Sequence, residues 1–202
     1  MSIGIIGAHR TGKTTLAREV AQRVGIPFVE TSTTKIFQSL GLDPAMPLDF
    51  DTRMKVQWAI LKHYEEIYRA QPRFFITDRT PIDLLAYTYG DIVGITAANN
   101  DELDRYKSEC YRIGSIHFNR YVIVQPGIPL VDAPGKAAMN KAYIEHLNNL
   151  MIGFAYHPDQ HVWRGVMVRD ATQMERRIAS ITHIIDQYKT QHSQGIEQAT
   201  KH

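Results

Sequence analysis

The sequence predicts an α/β fold: a three-layer sandwich whose five-stranded parallel sheet carries helices on both faces, with one connection enlarged into a lid. Three observations predict it. Short apolar runs, compact enough to be buried strands, alternate with segments of helical periodicity. A glycine-bearing turn, Gly7 to Thr15, joins the first apolar run to the first helical segment. The 202 residues, 44% hydrophobic and 22% charged, have the size and composition of one compact globular domain.

The elements follow in order. Strands are expected at Ser2–Ile6, Phe28–Glu30, Phe74–Asp78, Tyr121–Gln125 and Val162–Val168. Leu16, Val20 and Val24 put one apolar face on a helix over Lys13–Val24. Asp51–Ala70 reads as a long helix with Met54, Trp58, Leu61, Tyr64, Ile67 and Tyr68 on one side. Thr80-Pro81-Ile82-Asp83 spells a helix start: a capping threonine, proline at the first helical position and Asp83 closing a capping box. Asn99–His117 and Asn140–Tyr156 are two more helices, and Asp170-Ala171-Thr172-Gln173 is a capping signature opening a last helix to about Lys189. A single domain over 1–190, a lid at about 126–141 and a polar tail over 191–202 complete the expectation.

Gly7-Ala8-His9-Arg10-Thr11-Gly12-Lys13-Thr14-Thr15 matches GxxxxGK[ST], a phosphate-cradling P-loop in its required strand-to-helix context. The glycines let successive backbone N–H groups turn inward onto phosphate oxygens, and the helix N-terminus adds positive field. Lys13 has the reach for the β- and γ-phosphates, and the Thr14 hydroxyl suits Mg²⁺. The sandwich is thus expected to be of the P-loop NTPase kind, binding ATP and Mg²⁺. Asp78, ending a buried strand, is the expected second metal-side oxygen. Arg79 follows it where hydrolytic machines carry a water-activating glutamate. Arg79 either holds a phosphate through its planar fork or pairs structurally with a nearby carboxylate.

Other P-loop classes lack their signals. Asn140-Lys141-Ala142-Tyr143 mimics a guanine-reading NKxD but has Tyr143 at the carboxylate position; no LSGGQ-like transporter signature occurs, and glycines at 4, 7 and 12 do not make GxGxxG. At this point the chain resembles the P-loop nucleoside and nucleotide kinases, in particular small bacterial and phage kinase-like ATPases related to thymidylate kinase and the ribosylnicotinamide-kinase domain. The resemblance rests on Gly7–Thr15, on Glu30, and on Asp78-Arg79-Thr80-Pro81-Ile82-Asp83 with Tyr87 following. It implies a Mg²⁺/ATP-dependent phosphotransferase with Lys13, Arg79, Glu30 and Lys136 as catalytic residues and Thr14 and Asp78 at the metal. Glu30 would accept a substrate hydroxyl or proton, or else is a surface carboxylate. Where relatives place an arginine soon after it, this chain offers only Lys35. Lys136 would be the cation of an arginine-free lid, or a solvated lysine.

Arg79, Lys35 and Arg10 together favour a nucleoside monophosphate as acceptor, ahead of a nucleoside and then of a base within DNA. Arg164 and Arg169 are expected to flank the end of the last strand, on the adenine side. A net charge of +2 from 23 basic and 21 acidic residues gives no broad field for nucleic acid, so that partner is not favoured. A homodimer and a non-catalytic ATP-binding switch stay open. One cysteine, Cys110, no apolar stretch of membrane-spanning length, and a strand beginning next to Met1 predict a cytoplasmic protein without a signal peptide.

Overall fold

The computed structural model describes residues 1–43, 46–72, 74–92, 94, 97–131 and 139–199, the last eight by backbone alone. Its sheet has five parallel strands, β1 (Ser2–Ile6), β2 (Phe28–Val29), β3 (Phe75–Thr77), β4 (Arg120–Val124) and β5 (Trp163–Met167), in the order β2-β3-β1-β4-β5. The helices are α1 (Lys13–Val24), α2 (Thr34–Ser39), α3 (Phe50–Arg69), α4 (Pro81–Gly90), α5 (Asn100–His117), α6 (Lys141–Ala155) and α7 (Met174–Ala199).

Alternation along the strands builds the three layers. Ile3 and Ile5 of β1 and Val122 and Val124 of β4 face α1 and α7, packing on Leu16, Val20, Ile178 and Ile181. Ile6, Tyr121 and Ile123 face the other way, into a larger core with α3 to α6. A two-residue side-chain period directs neighbouring residues to opposite layers. The register pairs Gly4 with Thr77 and Ile6 with Ile123, so Gly7 after β1 and Asp78 after β3 emerge on one edge of the sheet. Ligands of open parallel sheets bind outside this carboxyl edge.

The expected strands appear within one or two residues of their predicted bounds, and the Thr80–Asp83 capping box forms as predicted. Three differences have physical causes. The six-residue α2 was not expected, since Thr34–Ser39 carries no apolar stripe and buries no residue. Asp170–Gln173 is a turn rather than a helix cap: Ala171 N–H donates to Val168 O and Thr172 N–H to Asp170 O. Asp170 pairs instead with Arg176 at 3.7 Å, and α7 starts at Met174. That helix then runs to Ala199, past the predicted stop near Lys189, because the stretch after Lys189 is polar but contains no proline to break it. Lys136 lies outside the described residues.

Candidate active site

The P-loop curls because two glycines permit it. A Cβ on Gly7 would stand 2.6 Å from the Val124 carbonyl oxygen, and Gly12 holds φ +80°, in the left-handed region. Arg10 is also left-handed at φ 63°, and its guanidinium donates to Val131 O at 2.6 Å. It is therefore turned onto the connection after β4. The loop is buttressed from behind by a residue the sequence reading passed over. Arg177 of α7, 2% exposed, donates from Nη1 to Thr11 O at 2.8 Å and from Nε to Ala171 O at 2.6 Å. Its signal was available: Arg177, Ile181, Ile185 and Tyr188 occupy one buried helical stripe, and a charge on such a stripe needs a partner.

Lys13, 6% exposed, donates to Gly7 O and, at 3.1 Å, to Ala8 O. Burial lowers its pKa to about 8, helped by Arg79 and opposed by Asp83 and Asp78. Asp83 does more than cap α4. One carboxylate oxygen accepts from Gly7 N–H at 3.2 Å and lies 4.0 Å from Lys13 Nζ; the other accepts from Thr80 N–H at 2.9 Å and Thr80 Oγ1 at 2.8 Å. Burial pushes this carboxyl up, while Lys13, Arg79 and its hydrogen bonds hold it down. Asp83 thus ties the mouth of the P-loop to the start of α4.

Thr14 Oγ1 donates to Asp78 Oδ2, placing a hydroxyl and a carboxylate side by side where β1 and β3 end. Two hard oxygens beside a phosphate cradle fit Mg²⁺, which takes one or two protein oxygens and completes its shell from phosphates and water. Among the described residues no group of three or more His, Cys, Asp or Glu could hold a metal by itself.

Two hollows flank the P-loop. One, of about 370 Å³, is lined by His9, Gln57, Tyr64, Arg79, Asp83 and Tyr87, together with Thr33 just before α2, Phe37 within it, Asp91 and Tyr143. His9 N–H donates to Tyr87 Oη at 3.0 Å, and its ring leans on Tyr87 and Tyr143. His9 is thus aimed at this hollow instead of solvent. The Arg79 guanidinium lies 5.9 Å from the Tyr87 ring centroid, with no carboxylate within 4.0 Å among the described residues. Burial works against its charge, but Tyr87, Asp83, Tyr64 and Asp78 together raise its pKa. The second hollow, of about 700 Å³, opens between Gly127–Leu130, the start of α6 and Arg169–Thr172. Arg169 spans it with two bonds to Glu145, at 2.5 and 2.7 Å. Ile128, on its wall, approaches within 3.3 Å of the Cβ position of Gly12.

The structure brings Lys13, Thr14, Asp78 and Arg79 together and leaves other predicted residues apart. Glu30 follows edge strand β2, is largely exposed, and pairs with Arg18 at 3.0 Å, outside the lining of either hollow. Lys35 is exposed on α2. Arg164 sits at the start of β5, stacked on Tyr156 and bonded to Gln160 O at 2.9 Å, so only Arg169 is at the strand's carboxyl end. The sequence placed Tyr64 among core residues; it is buried, and it also contributes to the wall of the first hollow.

Together the strand order, the P-loop and the paired Thr14 and Asp78 define a parallel α/β P-loop fold with a nucleotide-binding loop at the carboxyl edge of its sheet. A family model described as an AAA domain matches residues 2–128, and the chain belongs to that family. No curated protein sequence matches it. Similar solved structures include deoxyadenosine kinase from M. mycoides with dCMP and dCDP bound, with TM-score 0.65 and 16% identity, covering 93% of this chain and 100% of that one. Thymidylate kinase from Candida albicans has TM-score 0.59 and 12% identity, covering 93% and 92%. NadR in complex with NAD and AMP-PNP has TM-score 0.57 and 15% identity, covering 92% of this chain and 48% of that longer one. At these identities the likeness is one of fold. No described helix is long and apolar enough to cross a membrane.

Proposed function

We propose that the chain is a Mg²⁺/ATP-dependent phosphotransferase acting on a small nucleoside or nucleotide. The observation that carries this reading is the P-loop's position between two hollows, with Arg79 facing the smaller one and no glutamate after Asp78. A hydrolase needs one nucleotide pocket; a transferase needs a donor pocket and an acceptor pocket meeting at the γ-phosphate. The larger hollow suits the nucleoside end of ATP, with Arg169 and Glu145 on its wall. The smaller suits the acceptor. Known proteins with this fold support the reading, since deoxyadenosine kinase, thymidylate kinase and NadR with AMP-PNP are all similar to it.

In this site the P-loop N–H groups and Lys13 hold the β- and γ-phosphates, exchanging Lys13's bonds to Gly7 O and Ala8 O for phosphate oxygens. Thr14 and Asp78 would hold Mg²⁺, which neutralises charge across the phosphates. Arg79 draws the acceptor oxygen and the transferring group into line, a positioning role. Lys136, by its place between Pro126 and Met139, remains a candidate lid cation. Glu30 as a proton acceptor would require its side chain to leave Arg18.

Incubation with Mg²⁺/ATP and a panel of nucleosides and nucleotides, following ADP, tests the reading. Acceptor-dependent ADP release, lost in Lys13→Ala, is expected. Slow ADP release indifferent to every acceptor would refute a transferase and leave an ATP-binding switch.

A further inference from the structure

The hollow beside Arg79 also bears on what kind of acceptor is used. Arg79 is the single permanently charged cation lining it among the described residues. Two carboxylates line it as well, and each is already matched: Asp83 by Lys13 at 4.0 Å, Asp91 by Arg53. The other two cations from which the sequence argued for a phosphorylated acceptor are elsewhere. Arg10 is bonded to Val131 O, and Lys35 is exposed and off the lining. The remaining polar lining is neutral: Thr33, Gln57, Tyr64, Tyr87 and Tyr143. The Tyr64 hydroxyl is buried and faces the hydroxyl of Thr31. A lining with one permanent cation, matched carboxylates and otherwise neutral hydroxyl and amide groups points to a polar, uncharged ligand group.

We propose that the acceptor is an unphosphorylated nucleoside presenting a primary hydroxyl toward Arg79, and that the hollow rejects the corresponding 5′-monophosphate. The proposal rests on the phosphotransferase reading. Arg79 must serve the transferring γ-phosphoryl group. An acceptor phosphate would bring a second dianion to a lining that offers one permanent cation, already engaged with the transferring group. A hydroxyl brings none. In the reaction the acceptor hydroxyl oxygen forms the new bond to the γ-phosphorus. The bond from that phosphorus to the β,γ-bridging oxygen breaks, its electron pair leaving on ADP. The hydroxyl proton passes to water through the open side of the hollow. The hollow's volume, at the small end of ligand sites, suits the base and sugar against Phe37, Tyr64 and Tyr87.

The test is a matched panel: ribo- and deoxynucleosides, each against its own 5′-monophosphate, with Mg²⁺/ATP and the full chain. ADP release is measured, and the products are identified by anion-exchange chromatography. At least one nucleoside is expected to exceed its monophosphate in kcat/KM by on the order of 100-fold. The same preference is expected in calorimetric binding to the ADP complex. A monophosphate used as well as its nucleoside overturns the proposal while leaving the phosphotransferase reading intact. No acceptor-dependent ADP release with any compound overturns both readings. Thr33→Arg adds a cation to the lining and is expected to raise monophosphate use at least about tenfold relative to nucleoside. An unchanged ratio there would show that charge does not set the preference.

Discussion

Replacing Arg177 with methionine tests whether a buried cation in the last helix holds the phosphate cradle. The substitution keeps an unbranched side chain of similar length on α7 but removes the donors to Thr11 O and Ala171 O. Each lost bond is charge-assisted and leaves a carbonyl without its partner, a cost of about 1.5–3 kcal/mol apiece. Against this, the guanidinium no longer has to be stripped of water; burial already pushes its pKa down. The net expectation is a loss of about 2–4 kcal/mol, which for a chain of this size lowers Tm by roughly 5–15 °C. Because Thr11 is in the cradle, ADP affinity should fall as well, by about tenfold. Arg177→Lys should be intermediate, since a point charge serves one carbonyl but cannot fork between two. Circular dichroism melts and calorimetric ADP titration make the measurement. A methionine variant with Tm within about 2 °C of the parent and an unchanged ADP Kd would refute the buttress.

The remaining predictions concern the groups around Lys13 and the one thiol. Lys13 in the free protein titrates at about 8, below its ordinary 10.5, and bound phosphate must raise it again. Below pH 8 both states are protonated and affinity is flat; above pH 8 binding has to recover a proton. Affinity for metal-free ADP should therefore fall as pH rises from 8 to 10, with proton uptake visible as a buffer-dependent heat; a flat profile would contradict it. Asp83→Asn keeps the side-chain shape but turns an amide toward the Thr80 or Gly7 N–H groups. It should cost about 2–3 kcal/mol in urea melts and, by removing a charge that raises the Lys13 pKa, move the ADP break to lower pH. Cys110, 0% exposed, has its thiol pushed well up by burial, so a disulfide reagent should label it only after unfolding.

Much of the P-loop side of the site was legible in the sequence because its geometry is local. The P-loop is nine consecutive residues, and the cap at Thr80 to Asp83 is four; each is defined by backbone geometry that near neighbours determine. The periodicity of β1, α1 and α3 was equally readable. The short α2, with its mixed composition, was not, and with it went Thr33 and Phe37 on the wall of the smaller hollow. Tyr64 shows the limit of periodicity: its position on α3 predicts burial, and it is buried, but whether buried means packed or lining a hollow depends on what other elements leave open.

By itself, then, the sequence determined the α/β class, the strand order along the chain, the phosphate cradle and the carboxylate that faces its threonine. Only the tertiary structure decided which cations face the hollow beside the P-loop. Arg10, Lys35 and Arg79 are equivalent as letters, each a positive charge near a motif. Folding separates them: a left-handed turn sends Arg10 to the Val131 carbonyl, α2 leaves Lys35 in water, and the start of α4 holds Arg79 over Tyr87. A charge acts over a few ångströms in the direction its side chain takes, and that direction is fixed by contacts far apart in sequence.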